Sequence, residues 1–389
     1  MKILHVVPSY FPAIRYGGPI YSVHGLAAGQ AALGHQVSVF TTNADGGGVS
    51  DVPVATQVDL DGVMVTYFAT GVPHHFNRRL YRAPAMAHAL RAQAAAFDMV
   101  HLHSVFLWPT LAAARAASSA GTPYVLSPRG MLVGNLIRAK SSLIKRAWLA
   151  LFERRTIAGA AALHFTAARE AEDFAALGLR AARTIILPNG VEPPRAGPAP
   201  LSPNIAAATA TPGYALYLGR LSWKKNLVAL IDALGMTPAL RLVIAGTDDE
   251  QLAAKLRGAI AAAGATDRVV LIDRNVEGAD KEALFARCAL FVLPSLNENF
   301  GNTVLEAMVR GKPVLVSSGA GVAEIVREAR CGLIAAPTAA ALSAALHDLV
   351  ADPRAADEMG QRGAQAARDH FGWPAIAAQM VAAYETIKR

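Results

Sequence analysis

Short runs of β-branched and other apolar residues alternate along almost the whole chain with alanine-rich stretches of ten or more residues, and this alternation constrains the fold most tightly. In the first half the runs lie at 3–7, 36–41, 63–67, 99–102, 124–126, 162–165 and 184–187. In the second they lie at 215–218, 241–245, 269–271, 290–293, 314–317 and 332–334. Strands joined through helices pair in parallel, and the helices then cover both faces of the sheet. The predicted fold class is α/β, with two doubly wound Rossmann-like domains facing each other across a deep cleft, where loops at the carboxyl ends of strands meet a ligand.

A chain of 389 residues that is 53% apolar and 17% charged has the material for about two cores. The boundary is expected after Pro188-Asn189-Gly190, where EPPRAGPAPLSPNIAAATATPG has a density of Pro, Ala and Thr that predicts a linker without helix or strand. Cys288 and Cys331 have no partners at metal-ligand spacing, so neither a disulfide framework nor a zinc site is expected, and the cytosol is the natural compartment. MKILHVVPSYFP reads as a first strand rather than a signal peptide. No stretch offers the roughly 20 consecutive apolar residues of a spanning helix.

The net charge of +8 is concentrated between 129 and 155, where Arg129, Arg138, Lys140, Lys145, Arg146, Arg154 and Arg155 face a single acid, Glu153. Interleaved with Leu143, Ile144, Trp148, Leu149, Leu151 and Phe152, these bases suit a helix on an anionic bilayer and equally suit a solvated helix face.

The segment FVLPSLNENFGNTVLEAMVRGKPVLVSS, residues 291–318, predicts a strand ending at Pro294, a polar loop carrying Glu298, and a helix capped near Asn302 and closed at Gly311. Glu306 then lies about one turn inside the helix. The backbone amides near Gly301, Asn302 and Thr303 point out of its N-terminus, where partial positive charge favours a phosphate. Two glutamates eight apart are common on surface helices. The segment as a whole, however, resembles the signature of retaining glycosyltransferases of family four, which have the GT-B fold. Pro294-Ser295, Glu298, Phe300-Gly301, Leu305-Glu306-Ala307-Met308 and Gly311-Lys312-Pro313-Val314 carry the likeness. The resemblance implies that Glu298 contacts the donor sugar and Glu306 the ribose hydroxyls.

In YALYLGRLSWKKNLVALIDAL a strand ends at Gly219 and a helix is expected from Lys224 or Lys225, so that Arg220 and Lys225 flank the turn and can reach one anion. This resembles the family's Gly-Arg-Leu…Lys-Asn element, which implies that both cations hold the diphosphate. After the first strand, Gly17-Gly18 precede a helix and let backbone amides approach phosphate or sugar oxygens, like the family's glycine-rich loop. FDMVHLHSVF places His101 and His103 at a strand end, where the two are expected on opposite faces. The family's Asp-Val-Val-His-x-His run implies that His103 lies near the donor sugar and leaves His101 in the core. SPRGML resembles a motif of bacterial exopolysaccharide and O-antigen members and makes Arg129 a candidate contact for an acceptor phosphate or sugar. HFTAAREAED, with His164, Thr166 and Glu170, and LPNGVE read as architectural. Asn275, Val276 and the loop through Asn299 and Phe300 are expected to read base and sugar by backbone and shape.

The resemblance spans nearly the whole chain and is weakest over 43–90. It implies an acceptor-side domain at 1–190, a nucleotide-sugar domain at 191–370 and a final helix, 371–389, returning to the first domain. Two other patterns are set aside. Asp59-Leu60-Asp61 has the Asp-x-Asp form of metal-dependent enzymes but falls on an expected hairpin, and Gly319-Ala320-Gly321 fails as a dinucleotide fingerprint because Glu324 stands at the third glycine position.

The expected activity is retaining, metal-independent transfer of a hexose from a nucleotide diphosphate sugar, GDP-mannose or a UDP-hexose, to a saccharide acceptor. No cofactor or metal is expected. A lipid-linked acceptor, peripheral contact with an anionic membrane at its inner face, and bacterial polysaccharide biosynthesis complete the expectation. A sugar-nucleotide epimerase of the same architecture is one alternative. A basic non-enzymatic module is the other, although the basic run matches no nucleic-acid recognition motif.

Overall fold

The computed structural model of the chain describes residues 1–14, 17–70, 80–133, 147–194, 199–237, 240–248 and 250–388. They form two compact units, Met1–Gly190 with Trp373–Arg389, and Val191–Gly372.

The first unit is built on an eight-stranded sheet. Its strands are β1 (Lys2–Val6), β2 (Gln36–Thr42), β3 (Gln57–Leu60), β4 (Val63–Phe68), β5 (Met99–His103), β6 (Tyr124–Ser127), β7 (Ala162–Phe165) and β8 (Thr184–Ile186). Their spatial order is β8-β7-β6-β5-β1-β2-β4-β3. All pairings are parallel except that of β3 with β4, an antiparallel hairpin turned at Asp61-Gly62. Both turn residues have positive φ, as a tight hairpin turn requires, and Asp59 accepts from the Gly62 amide at 2.8 Å. The Asp-x-Asp pattern is therefore a turn, and its Asp61 pairs with His24 at 2.8 Å.

Alternation along the strands gives this sheet two different faces. Leu4, Val100, Leu102, Leu126 and Leu163 enter one apolar core. Between them His5, His101, His103, Ser127 and His164 point the other way, all buried. The helices Gly18–Ala32 and Trp373–Lys388 contribute Gln30 and Tyr384 to this polar face. Close approach of the two helices depends on glycine. A Cβ on Gly25 would lie 2.1 Å from the Trp373 ring, and one on Gly29 would lie 2.9 Å from Ala377 Cβ. Gly25→Ala adds about 1 kcal/mol of helix propensity. It is nevertheless expected to destabilise this unit by about 1–3 kcal/mol through overpacking, measurable as a lower denaturant midpoint with displaced Trp373 fluorescence. An unchanged or raised midpoint would show that the ring yields without cost.

The second unit holds six parallel strands, β9 (Tyr214–Leu218), β10 (Leu242–Ala245), β11 (Val269–Ile272), β12 (Cys288–Leu293), β13 (Val314–Ser317) and β14 (Gly332–Ala335), in the order β11-β10-β9-β12-β13-β14. Its two ends meet where the Val191 amide donates to the Phe371 carbonyl at 2.7 Å. The expected structureless linker is corrected here: Pro203–Thr209 is a helix with Ile205 and Ala208 buried. Proline is compatible with the first helical turn, whose amide has no intrahelical acceptor, and the alanines that follow favour helix. None of the described helices is long and apolar enough to cross a membrane.

Much of the basic run, including Arg138, Lys140, Leu143, Ile144, Lys145 and Arg146, lies outside the described residues. In the described part, Glu153 is buried rather than solvated and accepts from the Phe106 amide at 2.7 Å and the Trp148 indole at 3.0 Å. Trp148 packs edge-on against Phe152. Leu151 is exposed beside Arg154 and Arg155.

Candidate active site

In the second unit the candidate residues gather beyond the carboxyl ends of β9 and β12. After β9, Arg220 is exposed, with its carbonyl held by the Tyr217 hydroxyl at 2.9 Å. The expected helix start at Lys224 or Lys225 is replaced by a single 3₁₀ turn, Trp223–Lys225, and the helix proper is Leu227–Gly235. Between them Asn226 has φ of 57°, a left-handed conformation that asparagine tolerates well. Its side-chain amide donates to the Pro294 carbonyl at 3.2 Å and the Pro337 carbonyl at 2.9 Å. The Leu296 amide donates to the Lys224 carbonyl at 2.8 Å. The turn bearing Lys225 is thereby tied to the loop bearing Glu298, and Lys225 Nζ donates to Glu298 Oε2 in a mostly buried ion pair.

The Glu298 backbone is fixed from its other side. Its amide donates to the Gly319 carbonyl at 3.1 Å and its carbonyl accepts from the Gly321 amide at 3.0 Å. A Cβ on Gly319 would lie 2.5 Å from the Leu296 carbonyl oxygen. The glycine pattern set aside as a failed fingerprint is thus the brace of this loop. Gly301, with φ of 108°, precedes the helix Asn302–Val309, so Asn302 is its first residue rather than its cap. Asn299 and Thr303 are partly exposed beside it, whereas Phe300 and Val276 are 3% and 4% exposed. Contact with a ligand at those two positions is confined to backbone.

Glu306 stands one turn into that helix, where Oε2 pairs with Lys281 Nζ at 3.2 Å. Lys281 lies on the helix Gly278–Arg287, which also carries Glu282, the partner of Arg310. Sequence reading missed Lys281 and Asn226. The motif supplied a signal for Asn226, an asparagine closing a Lys-Lys turn, but none for Lys281.

In the first unit Gly17, with φ of 72°, leads directly into the helix that starts at Gly18. His101 and His103 correct the expectation of opposite faces. Residues two apart share a face of a strand, and their ring centroids are 4.3 Å apart. The register that pairs β1 with β5 sets His5 opposite His101, a third imidazole that sequence reading missed. His103 is 2% exposed with both ring nitrogens engaged, Nδ1 to Arg129 at 3.2 Å and Nε2 to His5 Nδ1 at 2.9 Å. Arg129 also reaches Asn189 Oδ1 at 2.9 Å. Glu170 accepts from the Gly130 and Thr166 amides and fixes the loop that presents Arg129.

Burial is the largest cause of every titration shift in this cluster. It pushes His5 down to about 4 and His164 to about 3, and holds His101 and His103 well below the ordinary imidazole range. It lowers Arg129 to about 10, so the guanidinium remains cationic at neutral pH. Ring nitrogens of His5, His101 and His103 lie within 4.8 Å of one another, a spacing a metal ion can span. Every one of those nitrogens is already hydrogen-bonded.

Residues 17–190 match the glycosyl transferase 4-like domain and residues 202–366 match glycosyl transferases group 1. The chain is 28% identical to glycogen synthase of Mycobacterium tuberculosis over 428 residues, covering all of this chain and 95% of that protein. It is also 28% identical to the GDP-mannose:cellobiosyl-diphosphopolyprenol alpha-mannosyltransferase of Xanthomonas campestris, over 86% of this chain and 83% of the other. Its fold resembles sucrose-phosphate synthase of Thermosynechococcus elongatus with a TM-score of 0.76 at 21% identity, covering 100% of this chain and 99% of that one. The two units share the GT-B architecture of such neighbours, each a Rossmann-like domain with a parallel sheet.

Proposed function

Because the chain is a glycosyltransferase, with a 4-like domain followed by a group 1 domain, we propose that it is a retaining, metal-independent hexosyltransferase of family four. It takes its sugar from a nucleotide diphosphate donor and passes it to a lipid-linked saccharide in bacterial polysaccharide biosynthesis. The observation that carries this reading is the Lys225–Glu298 ion pair, held on two loops at strand ends by Asn226 and by the Gly319–Gly321 brace. A carboxylate there suits sugar hydroxyls. Lys225, Arg220 and the helix start at Gly301–Thr303 suit the diphosphate. As the C1–phosphate bond breaks, positive charge nearby stabilises the departing diphosphate. The acceptor hydroxyl attacks C1 from the same face, which sets its proton beside a leaving phosphate oxygen and retains the anomeric configuration. No side chain is assigned as a covalent nucleophile.

GDP-mannose is the preferred donor because the Xanthomonas relative is named for it, and that relative's polyprenol-linked acceptor supports the acceptor class. Arg129 is assigned to the acceptor's phosphate, and the bases between 129 and 155 to an anionic membrane surface. The test is a thermal-shift screen of nucleotide sugars followed by turnover assays with and without a polyprenol-diphosphate saccharide, in the presence of EDTA. A ligand present at a hundred times its Kd adds about 2.7 kcal/mol of stability. GDP-mannose is expected to give the largest shift, with GDP released only when acceptor is added. Turnover of the sugar nucleotide without acceptor would establish the epimerase reading instead, and loss of activity in EDTA would end the metal-independent one. Equal sedimentation with anionic and neutral vesicles would remove the membrane contact.

A further inference from the structure

The buried polar face of the first unit carries more than the two histidines of the motif. Eight hydrogen bonds join nine groups end to end: Arg129 Nη2 to His103, His103 to His5, His5 to Gln30, Gln30 to Tyr384, Tyr384 to His101, His101 to Ser127, Ser127 to His164, and His164 to the Leu187 carbonyl. Their lengths run from 2.6 Å at Tyr384–His101 to 3.4 Å at Gln30–Tyr384.

The two ends have no choice of role, since a guanidinium only donates and a carbonyl only accepts. From the first end, His103 Nδ1 must accept, so its Nε2 carries the proton and donates to His5 Nδ1. His5 Nε2–H in turn donates to Gln30 Oε1, which fixes the amide with its NH₂ toward Tyr384. From the other end, His164 must donate through Nε2–H to Leu187, so its Nδ1 accepts from the Ser127 hydroxyl. Ser127 then accepts from His101 Nε2–H, and His101 Nδ1 accepts from the Tyr384 hydroxyl. The two derivations meet at Gln30 and Tyr384 as donor facing acceptor, without conflict.

We infer that these groups form one directed hydrogen-bond chain in which all four histidines are neutral Nε2–H tautomers, with Tyr384 and Gln30 as the positioning residues that join its halves and hold Arg129 toward an anion. Among the described residues Arg129 has no carboxylate within ion-pairing distance, and its Nε is buried without a hydrogen-bond partner. Neutral acceptors on His103 and Asn189 orient the cation, and Glu170 acts on its charge from a distance without forming an ion pair with it. The same wiring disfavours a metal among His5, His101 and His103, because each nitrogen that would ligate is already a donor or an acceptor, and Arg129 adds a positive charge beside them.

The test is long-range proton–nitrogen NMR of the full chain labelled at histidine nitrogen, in the native protein and in the variants Tyr384→Phe and Arg129→Met. Four buried rings are expected as neutral Nε2–H. Tyr384→Phe should move the His101 Nδ1 resonance most and, through Gln30, those of His5 and His103 by less, with the Nε2–H tautomers of His5 and His103 kept. Arg129→Met should release His103 and His5 into mixed tautomers and leave His164 in place. An Nδ1–H or doubly protonated ring among the four in the native protein, variants that move all four rings alike, or one equivalent of Zn²⁺ bound at these rings would overturn the chain. The functional meaning rests on the proposed acceptor contact at Arg129. Tyr384→Phe should raise KM for the polyprenol-diphosphate acceptor several-fold at unchanged donor KM. With the tautomers as expected, an acceptor KM that neither variant moves removes Arg129 from the acceptor site and overturns the positioning role.

Discussion

Glu298→Ala is expected to lower turnover by about 10²–10³-fold or more, the scale of about 3–4 kcal/mol seen when a single transition-state-stabilising group is removed, while leaving the fold intact. The separation of the two effects follows from how the loop is held. The Glu298 backbone is fixed by the Gly319 carbonyl and the Gly321 amide, and the adjoining turn by Asn226. None of these bonds uses the carboxylate. The carboxylate serves Lys225, and that pair is about four-fifths buried on both sides, so alanine leaves an ammonium without its partner beside the proposed diphosphate site. Glu298→Gln separates charge from hydrogen bonding: it keeps acceptor capacity for sugar hydroxyls but loses the charge that orients Lys225. Lys225→Ala should fall in the same range, and the double variant should cost less than the product of the two, because contacting residues are non-additive. Wild-type turnover in Glu298→Ala would sink the assignment of this loop to the donor sugar.

The parallel strands of both units are legible because a strand buried on both faces reads as a short, largely apolar run, even where buried histidines interrupt it in the first unit. The hairpin at Asp61-Gly62 was legible from its turn chemistry. Two misreadings have distinct physical causes. Composition around Pro203 points to a linker, whereas position decides the structure: proline at a first helical turn and a following alanine run favour helix. The expectation of opposite faces for His101 and His103 runs against the period of two that governs a strand, and the face that they share with His5 follows only from the correct period together with the β1–β5 register. The motif in the second unit placed Glu298, Lys225 and Glu306 because local spacing carries them. It was silent on Lys281, which reaches Glu306 from another helix. It was equally silent on Tyr384, whose hydroxyl meets a histidine 283 positions earlier. Periodicity reports which face a residue takes; it does not report which distant polar group completes a buried hydrogen bond.

The glycosyl transferase domains set aside the non-enzymatic reading of the basic charge. The described part of the basic run agrees, since Trp148 and Phe152 pack on each other and Glu153 turns inward. Aromatic faces engaged in a core are not offered to bases. Leu151, Arg154 and Arg155 are exposed, and they are the described residues on which the proposed membrane contact would draw.

The first unit is expected to lose stability steeply in mild acid, beginning near pH 6.5. His5, His101, His103 and His164 are buried and neutral in the fold, with protonation of His5 held off to about 4 and of His164 to about 3. In the unfolded chain the same rings take up protons near pH 6.5. A depressed folded value stabilises fully above the unfolded value, and that stabilisation is lost as pH falls toward the folded one. Between pH 6.5 and 4, His5 alone then withdraws about 3 kcal/mol, and His164 a similar amount, because each proton taken up only on unfolding costs the fold about 1.4 kcal/mol for every pH unit below 6.5. Together they rival the 5–15 kcal/mol that holds a typical domain. Glu153 works in the opposite sense, since burial raises its value and acid then favours the fold, but it is one group against four. Hydrogen exchange of the β1 and β5 amides, followed from pH 7 to pH 5, should show protection falling with a slope that approaches four protons taken up on opening. The directed chain adds a reason for cooperativity. A proton arriving on any accepting Nδ1 turns that link into donor against donor, so the first ring to titrate breaks its neighbours' bonds as well as its own. Protection that stays level across this range would mean that the rings are already charged or solvated, and would remove both the acid sensitivity and the neutral chain behind it.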